Sequence, residues 1–261
     1  MEISRQNGFL SIRQIPFDVD SGIGERAQIG VIVLASDHTI EHEFRQIVTM
    51  PGVAFYESRI PNSPIITPET LHTMESHISE RAALILPGVS FDVMAYGCTS
   101  ASVVIGEEKI FEKIRAGRPE AIPTTPITAA FAAFKSLGIK KIGVLTPYRD
   151  DINLFMRDYI EKKGFKVTVF GSFNEENDNR AARISPESIR RAIIKIGQRN
   201  EVEGVFLSCT NLRLTNAVEE IEIKLGKPVT SSNHAIIWHS LHLAGIKEEI
   251  EGYGSLYRKP I

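Results

Sequence analysis

The chain has 261 residues, 43% of them hydrophobic and 24% charged, with a formal net charge of −2. This composition is typical of a soluble globular protein with one large domain or two lobes, and the weak net charge argues against nucleic acid or an anionic membrane as a partner. No run is long enough to span a bilayer, and no Cys/His cluster has zinc-site spacing, so we expect neither a membrane segment nor a metal. The first 20 residues lack the pattern of a signal peptide, and two cysteines suit a reducing compartment, so we expect the cytoplasm.

Apolar, β-rich runs alternate with helical patterns after an aperiodic stretch at 1–26, which we interpret as an arm. Such alternation is typical of parallel sheets covered by helices. The predicted elements, in chain order, are a strand at 29–36, a helix at 38–48, a strand at 53–60, a helix at 68–85, a strand at 91–97 with a helix after 98–102, an extended start and helix at 121–139, a strand at 141–148, a helix at 150–164, a strand at 165–173, a helix at 185–199, a strand at 202–210, and a strand with a helix at 228–246.

The pattern occurs twice. Gly30 and Gly143 open similar strands 113 residues apart, and Cys98 and Cys209 lie 111 residues apart. A nearly constant offset predicts an internal repeat. We therefore expect an α/β fold of two similar Rossmann-like lobes with parallel sheets, related by pseudo-twofold symmetry around an active-site cleft. The first lobe is predicted at 27–125 plus 231–261, and the second at 126–230.

The only two cysteines share a setting, in "MAYGCTSAS" and "VFLSCTNLR". Each follows a predicted strand and precedes a predicted helix, where ligands bind in open parallel sheets and where the helix dipole favours thiolate. Symmetry-related lobes would bring the two thiols to opposite walls of one cleft. One thiol could then remove a proton from a carbon while the other returns one, without a cofactor. The competing interpretation is that both cysteines are ordinary buried core residues.

Polar side chains follow each cysteine: Thr99 and Ser100 after the first, Thr210 and Asn211 after the second. These groups can donate hydrogen bonds to a carboxylate, so we predict them as substrate-binding residues. Together with the thiols they indicate a small carboxylic acid as the ligand.

The motifs "GCTSAS" and "SCTNLR" resemble the paired cysteine motifs of the aspartate/glutamate racemase superfamily. "TPY" and "SSNHAIIWHSLHLAG" resemble its maleate cis–trans isomerase and arylmalonate decarboxylase branch, and "VLASDHTIEHEF" is most similar to the ectoine-utilisation racemase-like proteins of that branch. The resemblance runs from about Gly30 to Ile246. It implies that Cys98 is the nucleophile or base and Cys209 the partner acid or base. The decarboxylases of the branch keep one cysteine, so two cysteines put decarboxylation in doubt.

The same resemblance implies that Tyr148, in "TPY", and Asn179, in "NDNRAARI", bind a substrate carboxylate. The alternative for Tyr148 is a tyrosine on the surface of its lobe. The resemblance also implies that family members usually form oligomers, so we expect a homo-oligomer.

Asp37 departs from the resemblance, because maleate isomerases have asparagine after this first strand. An ionised Asp37 would repel a dicarboxylate and attract an α-ammonium group. We therefore include Asp37 among the substrate-binding residues and hypothesise an amino-acid-like substrate. The alternative is that Asp37 caps the following helix, and both can hold together.

Other polar residues have plainer interpretations. His38 and His42 have helical metal-ligand spacing, but no third ligand lies near them in sequence. Thr125, Ser232 and Asn233 precede helices, where they either cap the helix or bind the substrate or a loop.

The residues thus predict a cofactor-independent isomerase of racemase or epimerase type, acting on a small carboxylic or amino acid through two cysteines. One alternative is maleate cis–trans isomerisation by covalent addition of Cys98. An alternative of another class is a two-lobed clamp that binds a small acid without turning it over.

Overall fold

The computed structural model describes residues 2–6 and 8–259. The strands in this part of the chain are β1 (Glu2–Gln6), β2 (Phe9–Arg13), β3 (Ala27–Leu34), β4 (Val53–Ile60), β5 (Val93–Gly97), β6 (Ile122–Thr124), β7 (Lys141–Thr146), β8 (Lys166–Ser172), β9 (Gly204–Leu207) and β10 (Val229–Ser231). The α-helices are α1 (Ile40–Ile47), α2 (Pro68–His72), α3 (Ile78–Leu84), α4 (Thr99–Ile105), α5 (Glu107–Gly117), α6 (Pro126–Leu137), α7 (Asp150–Lys162), α8 (Asp178–Ala181), α9 (Pro186–Gly197), α10 (Val218–Leu225) and α11 (Ser232–Leu243). Short 3₁₀ helices lie at Thr73–His77, Thr215–Ala217 and Leu256–Arg258.

Two four-stranded parallel sheets carry the fold. Their strand orders are β4-β3-β5-β6 and β8-β7-β9-β10, so each sheet repeats the order second, first, third, fourth. In the first sheet Val31 of β3 lies opposite Glu57 on one side and Ala95 on the other. The predicted α/β fold with two similar lobes is confirmed. The cysteines follow β5 and β9, which hold equivalent positions in the two sheets.

The N-terminal arm contains an antiparallel hairpin of β1 and β2, which the aperiodic sequence did not predict. Its large apolar side chains are exposed, including Ile3, Phe9 and Leu10. Whether the arm joins copies of the chain stays a prediction.

Side chains set the starts of several helices. The Thr125 hydroxyl accepts a hydrogen bond from the amide of Thr128, and Pro126 occupies the first turn of α6. Thr125 is therefore a helix cap. The helix ends at Gly138, whose φ of 70° is a left-handed conformation that glycine adopts without strain.

The repeated glycines allow close packing on both sheets. A Cβ on Gly143 would lie 2.4 Å from Cγ2 of Ile196. A Cβ on Gly30 would lie 2.4 Å from Cε of Met94. Because both distances are far below van der Waals contact, each glycine lets a large side chain rest on the central strand.

Helix α11 packs against α6, α1 and the first sheet, and its Trp238 is fully buried in that core. The exact lobe boundaries, 27–125 plus 231–261 and 126–230, stay a prediction. Among the described residues, none of the helices combines the length and apolar character needed to cross a membrane.

The predicted helix at 68–85 is interrupted by the 3₁₀ helix at 73–77. The Thr73 hydroxyl donates to the carbonyl of Thr70, and the Ser76 hydroxyl donates to the carbonyl of Thr73. Such hydroxyl groups compete with the regular helical hydrogen bonds. Leu71 and Met74 lie on either side of the end of α2, and both line a cavity between the two sheets.

Candidate active site

A small cavity lies where the carboxyl ends of the two sheets meet. Its free volume is about 10 Å³, room for about one water molecule, so the site is closed. Both lobes contribute to its wall, and the lining residues are Leu34, Asn62, Ser63, Ile66, Thr70, Leu71, Met74, Cys98, Thr99, Ser100, Tyr148, Asp178, Cys209 and Thr210. The predicted convergence of the two cysteines on one cleft is therefore seen directly.

Cys98 lies between β5 and α4 and caps that helix. Its Sγ accepts a hydrogen bond from the amide of Ala101 at 3.5 Å and lies 3.7 Å from Oγ of Ser100. The side chain is 3% exposed. The predicted arrangement of strand, cysteine and helix holds at this position.

Cys209 departs from that prediction, because no helix follows it directly. The next helical segment begins at Thr215, and the intervening loop is closed by a hydrogen bond from the amide of Asn211 to Sγ of Cys209 at 3.4 Å. Cys209 has a φ of 156°, which L residues rarely adopt. Such backbone strain costs about 1–3 kcal/mol and is found most often at functional sites.

The expectation that the surroundings of the two cysteines favour thiolate is wrong. Burial raises the pKa of Cys98 to about 12, against weaker lowering by the Ala101 amide and Ser100. Burial also raises the pKa of Cys209 well above its usual value, and the Asp178 carboxylate raises it further. Desolvation outweighs the helix dipole and the nearby amides, so both thiols are protonated at neutral pH.

Tyr148 lies in the cavity wall and is fully enclosed, which excludes the alternative of a surface tyrosine. It shares that wall with Cys209 and Ser100, and burial raises the pKa of its hydroxyl well above the usual value. Tyr148 and Ser100 therefore bring two hydroxyl groups beside the thiols.

Ser232 joins the two cysteine loops. Its Oγ accepts hydrogen bonds from the Thr99 hydroxyl at 2.7 Å and from the Cys209 amide at 3.0 Å. The residue before it, Ser231, caps α11 by accepting from the amide of His234. Ser232 thus couples the position of one cysteine to that of the other.

Glu43 supports the loop after Cys209 from α1. Its Oε1 accepts from the amides of Leu214 and Thr215 at 2.8 and 3.0 Å, and its Oε2 accepts from Nδ2 of Asn233 at 2.7 Å. Asn233 also donates to the carbonyl of Thr210. Asn233 is therefore part of the support of this loop, and sequence reasoning missed Glu43 because it looked like an ordinary helix residue.

Asp37 caps the following turn. Its Oδ1 accepts from the amides of Thr39 and Ile40 at 2.7 and 2.9 Å. Its Oδ2 is buried and has no hydrogen bond in the described part of the chain. Burial raises the pKa of Asp37. The carboxyl lies behind the lining residues, so its predicted contact with substrate stays a prediction.

Asn211 and Thr210 are held by backbone groups. The Asn211 side chain accepts from the His38 amide at 2.8 Å and donates to the Ser36 carbonyl at 3.2 Å, while Thr210 donates to the Gly97 carbonyl at 3.3 Å. Thr210 lines the cavity, whereas Asn211 ties the loop of the second cysteine to the first lobe.

Asn179 is exposed, does not line the cavity, and is hydrogen-bonded to Nε2 of His38 at 2.9 Å. The preceding residue, Asp178, faces the cavity instead. Its Oδ2 accepts from the Ser36 hydroxyl at 2.6 Å, and Asn62 Nδ2 lies 3.5 Å away. Burial, with a contribution from Asp37, raises the pKa of Asp178 to about 6.

Two segments close the cavity from outside. Residues 62–66 of the first lobe meet residues 176–178 of the second, with hydrogen bonds from the Ile66 amide to the Glu176 carbonyl and from the Asp178 amide to the Pro64 carbonyl. With these contacts in place, the free volume of the cavity holds about one water molecule.

Comparison with known proteins agrees with this architecture. A maleate isomerase of Alcaligenes faecalis is 24% identical over 243 residues, which cover 88% of this chain and 95% of the relative. The arylmalonate decarboxylase of Bordetella bronchiseptica is 28% identical over 136 residues, 51% of this chain and 57% of that protein. A cysteine-to-serine variant of the Nocardia farcinica maleate cis–trans isomerase, with a covalently bound succinylcysteine intermediate, has a TM-score of 0.81 at 22% identity and covers 89% of this chain and 98% of its own.

A family model described as arylmalonate decarboxylase matches residues 66–257. The chain therefore belongs to the arylmalonate decarboxylase family. The predicted branch of maleate isomerases and arylmalonate decarboxylases is confirmed, and the closer likeness to the ectoine-utilisation racemase-like proteins stays a prediction.

Proposed function

From this family membership, we propose that the chain is an isomerase that moves a proton at a carbon next to a carboxylate, using Cys98 and Cys209. The observation that carries the proposal is that both thiols line one closed cavity, each after an equivalent strand. The isomerases among the relatives support this general class.

In the proposed reaction, the substrate carbon lies between the two sulfur atoms. The thiolate of one cysteine takes the α-proton, so a C–H bond breaks and an S–H bond forms. The thiol of the other cysteine gives its proton to the opposite face, so the configuration inverts and no electrons leave the system. The hydroxyls of Tyr148 and Ser100, which line the same cavity, would stabilise the enolate-like intermediate by hydrogen bonds.

A second candidate is cis–trans isomerisation of maleate, favoured by the relatives named maleate isomerases and by the succinylcysteine of the Nocardia farcinica variant. The Cys98 sulfur would bond to one double-bond carbon, and Cys209 would protonate the other. Rotation about the new single bond, return of that proton and breakage of the C–S bond would then give the trans acid.

The test is proton NMR in D₂O with a panel of α-amino acids, their α-hydroxy counterparts and maleate. Deuterium entering a Cα position, lost in both Cys98→Ser and Cys209→Ser, supports proton transfer between two thiols. Conversion of maleate to fumarate that requires Cys98 supports the second candidate and contradicts the first. If no acid reacts but an acid still slows alkylation of the thiols, the chain is a binding protein and both reactions are refuted.

A further inference from the structure

The charge of the cavity wall points to the class of substrate. Among the described residues, the wall holds one carboxyl group, from Asp178, and no lysine, arginine or histidine. A second carboxyl, from Asp37, lies near the Thr210 side chain, and one of its oxygens is buried. The ionisable groups at the cavity are therefore acidic, and they are complementary to a positively charged ligand.

The basic side chains nearest the cavity make their contacts outside it. The Arg59 guanidinium donates to the carbonyls of Leu34 and Asp37 and pairs with Glu41 at 2.8 Å. His38 is hydrogen-bonded to Asn179. Neither side chain lines the cavity, so neither is available there to neutralise a dianionic substrate.

The same two carboxylates also act on the thiols. The negative charges of Asp37 and Asp178 disfavour thiolate at both Cys98 and Cys209. A dicarboxylate would add negative charge beside the sulfurs and disfavour thiolate further, whereas an ammonium group would favour it. A positively charged substrate therefore favours formation of the cysteine thiolate that removes its α-proton.

We infer that Asp178 binds a positively charged amino group of the substrate, and that the substrate is an amino-bearing carboxylic acid rather than a dicarboxylate. Ser36 holds the carboxylate in place through Oδ2. The inference rests on the proposed function for its chemistry, but ligand binding tests it separately.

The experiment measures how well each acid protects Cys98 and Cys209 from alkylation by iodoacetamide, read by mass spectrometry. Each α-amino acid is compared with its α-hydroxy counterpart and with maleate. The wild-type chain should be protected by the best amino compound at about 10- to 100-fold lower concentration than by its hydroxy counterpart, as expected for a hydrogen bond between charged groups.

Asp178→Asn should abolish this preference, and Asp178→Glu should keep it because the charge remains. The control Asp158→Asn removes the same charge from the exposed face of α7 and should also keep it. Equal protection by amino and hydroxy acids in the wild type, or a preference that survives in Asp178→Asn, overturns the inference.

Deuterium exchange separates the two hypotheses. If exchange requires both cysteines but Asp178→Asn keeps the preference, the inference fails and the proposed function stands. If the preference is present and depends on Asp178 but no acid exchanges deuterium, the inference stands and the proposed function fails.

Discussion

Replacing Asp178 with asparagine should stabilise the protein at pH 8 and change its stability little at pH 4. Burial raises the pKa of Asp178 from 3.8 to about 6 in the folded chain. Between these values the folded chain holds a proton that the unfolded chain has lost, so the free energy of unfolding falls as the pH rises through this window. Above pH 6 the full cost of the buried charge remains.

The two pKa values differ by about 2, which corresponds to about 3 kcal/mol at pH 8. Asparagine carries no charge, and its oxygen can still accept from Ser36. If the amide group of the new asparagine lacks a hydrogen-bond partner, the resulting loss of stability is the same at pH 4 and at pH 8. The quantity to measure is therefore the stability change caused by Asp178→Asn at pH 8 minus the change at pH 4, from urea unfolding.

A difference of about 3 kcal/mol is expected for Asp178→Asn, and Asp158→Asn on the surface should give less than about 1 kcal/mol. The same small difference for both variants, or a loss of stability that grows with pH in Asp178→Asn, would refute the argument that a buried carboxylate faces the cavity.

Two further predictions concern positions outside the cavity wall. Glu43→Ala leaves two loop amides without partners and should lower the free energy of unfolding, measured in urea, by about 2–4 kcal/mol. Glu41→Ala, on the same helix, removes surface ion pairs and should lower it by less than about 1 kcal/mol. Equal effects of the two variants would contradict the role given to Glu43. Gly143→Ala drives a methyl group into the branched side chain of Ile196 and should cost about 1–3 kcal/mol by the same assay. The methyl group of Gly30→Ala meets the flexible end of a methionine, so this variant should lose less unfolding free energy than Gly143→Ala. A larger loss for Gly30→Ala than for Gly143→Ala would show that packing on the second sheet is looser than described.

The internal repeat and the meeting of the two cysteines in one cleft were predictable, because both follow from short stretches of sequence. Apolar runs define the strands, and the ends of parallel strands meet at one edge of a sheet. The position of Cys98 after β5 and that of Cys209 after β9 therefore predict that both thiols line one cleft.

The choice between Asp178 and Asn179 was not predictable, because the segment after β8 has no periodicity. The Asn177 side chain accepts a hydrogen bond from the Arg180 amide and starts the short helix α8 at this point. This cap fixes the turn so that Asp178 points to the cavity and Asn179 to the solvent.

The protonation state of the two thiols was also predicted wrongly. The sequence indicates the strand end and the helix dipole, but it does not indicate how completely the opposite lobe covers the sulfurs. That burial also changes the value of a labelling test. Slow alkylation of the empty protein is expected for an enzyme and for a simple binding clamp alike, so the effect of added ligand is the informative measurement.

The closed cavity has a consequence for the chemical durability of the protein. Oxidation of cysteine to sulfenic acid, or onward to irreversible products, requires thiolate character and access to the oxidant. Cys98 and Cys209 are 3% and 4% exposed, and burial raises the pKa of both thiols so that they are protonated at neutral pH. In the closed structure both sulfur atoms are therefore buried thiols, which peroxide oxidises slowly. Faster oxidation would require the contacts between segments 62–66 and 176–178 to separate and expose the sulfur atoms to solvent.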